Sequence, residues 1–128
     1  MTASVLNNYD VVILGEMTVN AAQVALLTNW VNGGGTLIAF RPVALLTPLF
    51  GITVPGGTLS NKYLLVQTSS GPGVGIVNQT IQFHGDANLH TLAGAASLAT
   101  LYSTANTATP NPAVTVMNVG SNGGKAIA

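Results

Sequence analysis

The densest cluster of side chains able to do chemistry is Gln82-Phe83-His84-Gly85-Asp86, followed by His90. If this stretch is a strand, His84 and Asp86 project from the same side, because side chains two apart share a face. A loop can then carry His90 beside them. An imidazole next to a carboxylate can act as a general base, so His84 and Asp86 are candidate catalytic residues. Two imidazoles and one carboxylate can also hold a divalent metal, with His84, Asp86 and His90 as ligands. The plainer alternative is a strand end, with Gly85-Asp86-Ala87-Asn88 as a turn and His90 exposed. Glu16 and Arg41 form a second candidate pair, each just past an expected strand. Open α/β sheets gather ligands beyond the carboxyl ends of their strands. The two residues are therefore either a small ligand-binding site, with Glu16 as a catalytic acid, or a surface ion pair worth under about 1 kcal/mol. An acid at Glu16 would have to be buried.

Other familiar chemistries are missing their residues. The chain has no Cys, which removes disulfides, thiolate metal sites and a cysteine nucleophile. Ser97 sits in Gly94-Ala95-Ala96-Ser97-Leu98, without the glycines of a nucleophile elbow. Gly120-Ser121-Asn122-Gly123-Gly124-Lys125 is one spacer short of a phosphate loop and has no Ser or Thr after the lysine. Gly33-Gly34-Gly35 follows a helix, whereas dinucleotide-binding glycines open one. Asn78-Gln79-Thr80 fits a glycosylation sequon. Trp30 has the spacing of a core residue, while Tyr63 and Tyr102, if exposed, could stack on a glycan.

The elements that must position these residues alternate in the first half of the chain. Val11-Val12-Ile13-Leu14 has the β-branched composition of a buried strand. Asn20 and Gln23 have capping-box spacing, and Val24, Leu26, Leu27, Trp30 and Val31 form a helical stripe. The glycines after Asn32 stop that helix, and Thr36 to Phe40 is the next strand. This order predicts a parallel β-α-β crossover. Val43 to Phe50 is expected to be a short helix, interrupted by Pro48, and Tyr63 to Gln67 a strand. Ser69 to Gly75 reads as an exposed, flexible loop. Strands then follow at Thr80 to His84, Ser97 to Tyr102, Ala113 to Asn118 and Lys125 to Ala128. The expected fold is α/β: a single domain over 1–128 with a partly parallel first half and a β-rich, antiparallel second half.

Composition bounds what this domain can meet. Its 128 residues carry 3 Lys+Arg against 3 Asp+Glu, so charged residues are 5% of the chain, against a usual share of about 25%. Nucleic acid and anionic membranes are excluded as expected partners, because no basic footprint exists. Its apolar runs fall far short of the roughly 20 residues a membrane-spanning helix needs. Met1 to Asn8 lacks the basic flank and apolar run of a signal peptide. A surface of Asn, Thr, Ser and Gly nevertheless suits an extracellular or cell-surface parent protein. Low charge also predicts weak mutual repulsion and self-association, most simply as a homo-oligomer.

Two stretches carry a family resemblance. Tyr9-Asp10-Val11-Val12-Ile13-Leu14 and Leu26-Leu27-Thr28-Asn29-Trp30-Val31-Asn32-Gly33-Gly34-Gly35-Thr36-Leu37-Ile38-Ala39-Phe40 resemble the class I glutamine-amidotransferase-like superfamily, of flavodoxin-like fold. The closer likeness is to versions found in large secreted bacterial proteins and in the trimerisation domain of some β-galactosidases. Asn111-Pro112-Ala113-Val114-Thr115, with Val119-Gly120 and Gly124-Lys125-Ala126, is similar to their closing strands. Catalytic members of the superfamily use a Cys nucleophile, so the missing Cys excludes amidotransferase chemistry. Related domains also begin with a further strand and helix and continue past the position of Ala128. The chain is therefore expected to be a truncated copy with exposed sheet edges.

The resemblance implies a non-catalytic structural module that packs on neighbouring domains or on itself, and that needs no cofactor. A small hydrolase using His84 and Asp86, with or without a divalent metal, and a carbohydrate-binding module are the alternatives.

Overall fold

Val11–Leu14 (β1) and Thr36–Ala39 (β2) do form strands, and they pair in parallel with Val11 opposite Thr36 and Leu14 opposite Ala39. The computed structural model describes residues 1–128. A short helix, α1 (Ala3–Leu6), precedes β1, and its Leu6 enters the core. Between the two strands runs α2 (Ala21–Asn32). Its first turn is closed by a reciprocal pair of hydrogen bonds. The Gln23 backbone N–H donates to Asn20 Oδ1, and the Asn20 N–H donates to Gln23 Oε1, each at 2.9 Å. Both satisfy amides that a helix start otherwise leaves open. Asn20→Ala is therefore expected to cost about 1 kcal/mol in urea unfolding. A smaller loss for Asn20→Ser would attribute the cost to the cap.

The remaining strands are β3 (Thr58–Ser60), β4 (Tyr63–Val66), β5 (Ile81–Gln82), β6 (Asp86–Asn88), β7 (Ala96–Thr104), β8 (Thr107–Val119) and β9 (Gly124–Ile127). Seven of the nine make one mixed sheet in the order β1-β2-β9-β8-β7-β4-β5, and β3 pairs with β6 in a separate ribbon. β1, β2 and β9 are mutually parallel, and every other pairing is antiparallel. Strand residues outnumber helical ones, 38% to 17%, and the sheet curls. The domain is single and β-rich, which corrects the expected α/β layering: only one helix is long enough to cover a sheet.

That helix covers one face. Leu27, Trp30 and Val31 of α2 share a core with Leu14, Leu37, Ala39 and Ala126, which alternation places on the same side of β1, β2 and β9. Phe50 and Leu46, from the segment after β2, are also fully or almost fully buried there. Two glycines let the layers approach. A Cβ on Gly35 would enter the Trp30 ring, and one on Gly124 would meet the Val31 carbonyl oxygen. On the opposite face Val11 and Ile13 stay exposed, at 49% and 62%.

Several local expectations change. Val43 to Phe50 contains only a single 3-10 turn, Ala44–Leu46. The segment expected to be a loose loop folds a 3-10 turn, Gly71–Gly73, and Gly73 is buried against the Gln67 carbonyl. The strand expected at Thr80 to His84 shrinks to β5, because Gly85 takes a φ of +121° and swings the chain into the other sheet. Asp86–Asn88 is then a strand, where a turn was the plain alternative. β8 extends back through Pro110 and Pro112, and its pairing with β7 shifts register repeatedly there. Proline has no N–H for the ladder, so irregular pairing is what it permits.

Candidate functional site

The parallel strands β2 and β9 end at a cleft of about 550 Å³. Ile38 from β2, Phe40 just after it, Ile127 from β9, and Leu64, Leu101 and Val114 from the antiparallel strands give it mostly apolar walls. The segment from Phe83 to Asn88 and His90 closes another side. This is the carboxyl-end position at which open sheets gather ligands.

Arg41, immediately after β2, holds the rim together. Its Nη1 donates to both carboxylate oxygens of Glu16, at 3.0 and 3.1 Å. Its Nε and Nη2 donate to Asn88 Oδ1, at 3.4 and 3.3 Å. One guanidinium thus ties the loop after β1 to β6. Arg41 adopts a φ of +46°, an uncommon conformation for a side-chain-bearing residue. The two side chains remain 33% and 59% exposed, so the ion pair is a surface one, worth under about 1 kcal/mol. Glu16 and Arg41 thus meet as a clamp at the edge of the cleft. Glu16 lacks the burial that a catalytic acid requires.

His84, Asp86 and His90 all border the same cleft, yet they do not form the expected trio. No three His, Asp or Glu side chains in the structure come together as a metal-binding group. The reason is the turn at Gly85. His84 lies in the connection after β5 and Asp86 opens β6, both exposed, and Asp86 Oδ1 accepts from the Ser60 hydroxyl across the β3–β6 ribbon. His90 points elsewhere. Its Nδ1 lies 2.7 Å from the Thr53 carbonyl oxygen, while Asn111 Nδ2 donates to the His90 carbonyl at 2.7 Å. The ring is buried, with only 7% exposure, contrary to the expected surface position.

Two residues that border the cleft each keep one polar atom unpaired. His90 Nε2 and Thr115 Oγ1 are both buried, and neither has a hydrogen-bond partner. Thr115 was invisible to motif reasoning, because a threonine within a strand carries no signal of its own. Asn88, the second ligand of Arg41, gave no signal either. The aromatic candidates lie elsewhere: Tyr63 and Tyr102 are half-buried cross-strand neighbours. Tyr102 borders a shallow polar hollow with Asn78, Gln79 and Thr80.

No known family model matches the sequence. No curated protein sequence matches it either. Solved structures do share the fold. A β-galactosidase from Rahnella sp. R3 superposes with a TM-score of 0.73 at 22% identity, over 93% of this chain and 19% of that one. A β-galactosidase from Bacillus circulans sp. alkalophilus gives 0.73 at 16% identity, over 94% of this chain and 20% of the other. The mmIFT52 N-terminal domain gives 0.69 at 16% identity, over 99% of this chain and 68% of that one. The chain therefore spans about a fifth of the β-galactosidase chains that share its fold.

Proposed function

We propose that this chain is a non-catalytic packing module, and that it covers the bare face of β1 with a second copy of itself. The observation that carries this is the outer strand β1, which α2 covers on one face only. Parallel sheets normally have both faces covered. Here α2 covers one face, while Val11 and Ile13 stand exposed on the other and β1 presents an unpaired edge. With 3 positive and 3 negative side chains, little electrostatic repulsion opposes the approach of an identical surface. An isologous contact also lets each copy satisfy the other's edge. The recurrence of the fold as a minor part of longer enzymes supports a module whose work is contact.

The parallel β1-α2-β2 unit supports the finer amidotransferase-like ancestry, and the scarcity of charge supports an extracellular or surface-attached parent. Exposed His84 and Asp86 are assigned no catalytic step. Light scattering is expected to give the mass of an oligomer for the natural chain and of a monomer for Ile13→Asp, with unchanged circular dichroism. A monomeric natural chain at high concentration would overturn self-association and leave a different domain as the cover.

A further inference from the structure

We propose that the cleft at the ends of β2 and β9 is a binding site for a small uncharged molecule with an apolar body and a hydroxyl group. The two unpartnered atoms carry this inference, which does not depend on self-association. His90 Nδ1 faces a carbonyl oxygen, which can only accept, so Nδ1 bears the hydrogen. In the neutral ring Nε2 is then a bare acceptor with nothing to accept from. Thr115, 3% exposed, has a hydroxyl that neither donates nor accepts. Buried polar groups are nearly always paired, and an unpaired one is costly. Two of them on residues that border one cleft make a local concentration of unmet hydrogen bonding.

The chemistry of the lining selects the guest. A hydroxyl can donate to His90 Nε2 or pair with the Thr115 hydroxyl, while Ile52, Leu64 and Leu101 contact a hydrocarbon body. A free sugar would bring more hydroxyls than the apolar wall can satisfy. A carboxylate would meet a bare acceptor at Nε2. Both atoms are buried, so a guest meets them only by displacing the side chains that cover them. Binding thereby relieves groups that the free protein leaves unsatisfied.

The test uses 2-naphthol and its near-isostere 2-methylnaphthalene, followed by nitrogen NMR of the imidazoles. The chain has two histidines, so exposed His84 serves as the internal reference. Saturable shifts at His90 alone are expected, with 2-naphthol binding about tenfold tighter than the methyl compound. Thr115→Val should erase most of that preference and raise the Tm of the free protein by about 2–5 °C, because an unpaired hydroxyl becomes a methyl. Leu64→Trp should fill the cleft and abolish binding of both compounds. Equal affinities for the two compounds in the natural protein would overturn the proposal, as would shifts that survive Leu64→Trp. A lower Tm for Thr115→Val would also count against it, because it would mean that buried water already satisfies the hydroxyl. The comparison of the two compounds needs no variant, so it stands even where Thr115→Val does not fold.

Discussion

Gly124→Ala is expected to cost about 3 kcal/mol or more, a large part of the roughly 5–15 kcal/mol that holds a typical domain folded. The added methyl carbon would sit on the Val31 carbonyl oxygen, and the Val119 carbonyl oxygen lies 2.9 Å from the same point. Both obstacles are backbone, one in α2 and one in β8, so no side-chain rotation relieves them. Relief requires α2 to lift from β9, which opens the core that holds Val31 and Ala126, both fully buried. The adjacent Gly123 provides the control. It has a φ of +83° and open space around its Cβ position. Gly123→Ala pays only the left-handed backbone penalty of about 1–2 kcal/mol. Urea unfolding of the two variants separates close approach from backbone preference. Equal losses would refute the close approach.

Phe50→Ala is expected to remove about 3–5 kcal/mol. Phe50 is completely buried and lies among Leu27, Leu37 and Leu46, which are buried to within 2%. Truncation would leave a void that these neighbours can fill only partly. The segment around it is held by a 3-10 turn and a left-handed Gly51, so collapse of the backbone is restricted. Phe50→Leu should cost distinctly less, because most of the volume is kept. A fall in Tm on the order of 10 °C for the alanine variant, with a smaller one for leucine, is the pattern that supports this packing.

The β1-α2-β2 unit was legible because each of its signals is local. A β-branched run, a capping box, a helical stripe and a glycine stop all lie within a few residues of what they control. The antiparallel strands were legible as strands, but their order was not. β9 lies between β2 and β8, a placement that depends on register with residues far away in sequence. The site was legible only as a list of residue types. Glu16 and Arg41 were correctly placed on one edge, because both follow strands that turned out parallel. His84 and Asp86 do not share one strand as expected, because the chain turns at Gly85, whose positive φ no side-chain pattern announces. His90 failed for a different reason: the carbonyl that fixes its ring belongs to Thr53, on a separate segment.

The position of β9 also sets an order of events as the chain is made. β1, α2 and β2 emerge early, yet the parallel neighbour of Thr36 is Lys125. At about 5–20 residues per second, synthesis leaves that side of β2 without its partner for several seconds. Loop closure over so long a span is slow even once the whole chain is present. A β-branched strand edge with no charged residue in it is thus offered to neighbouring nascent chains before its own partner exists. Yield during expression should accordingly be governed by this waiting time more than by the stability of the finished sheet.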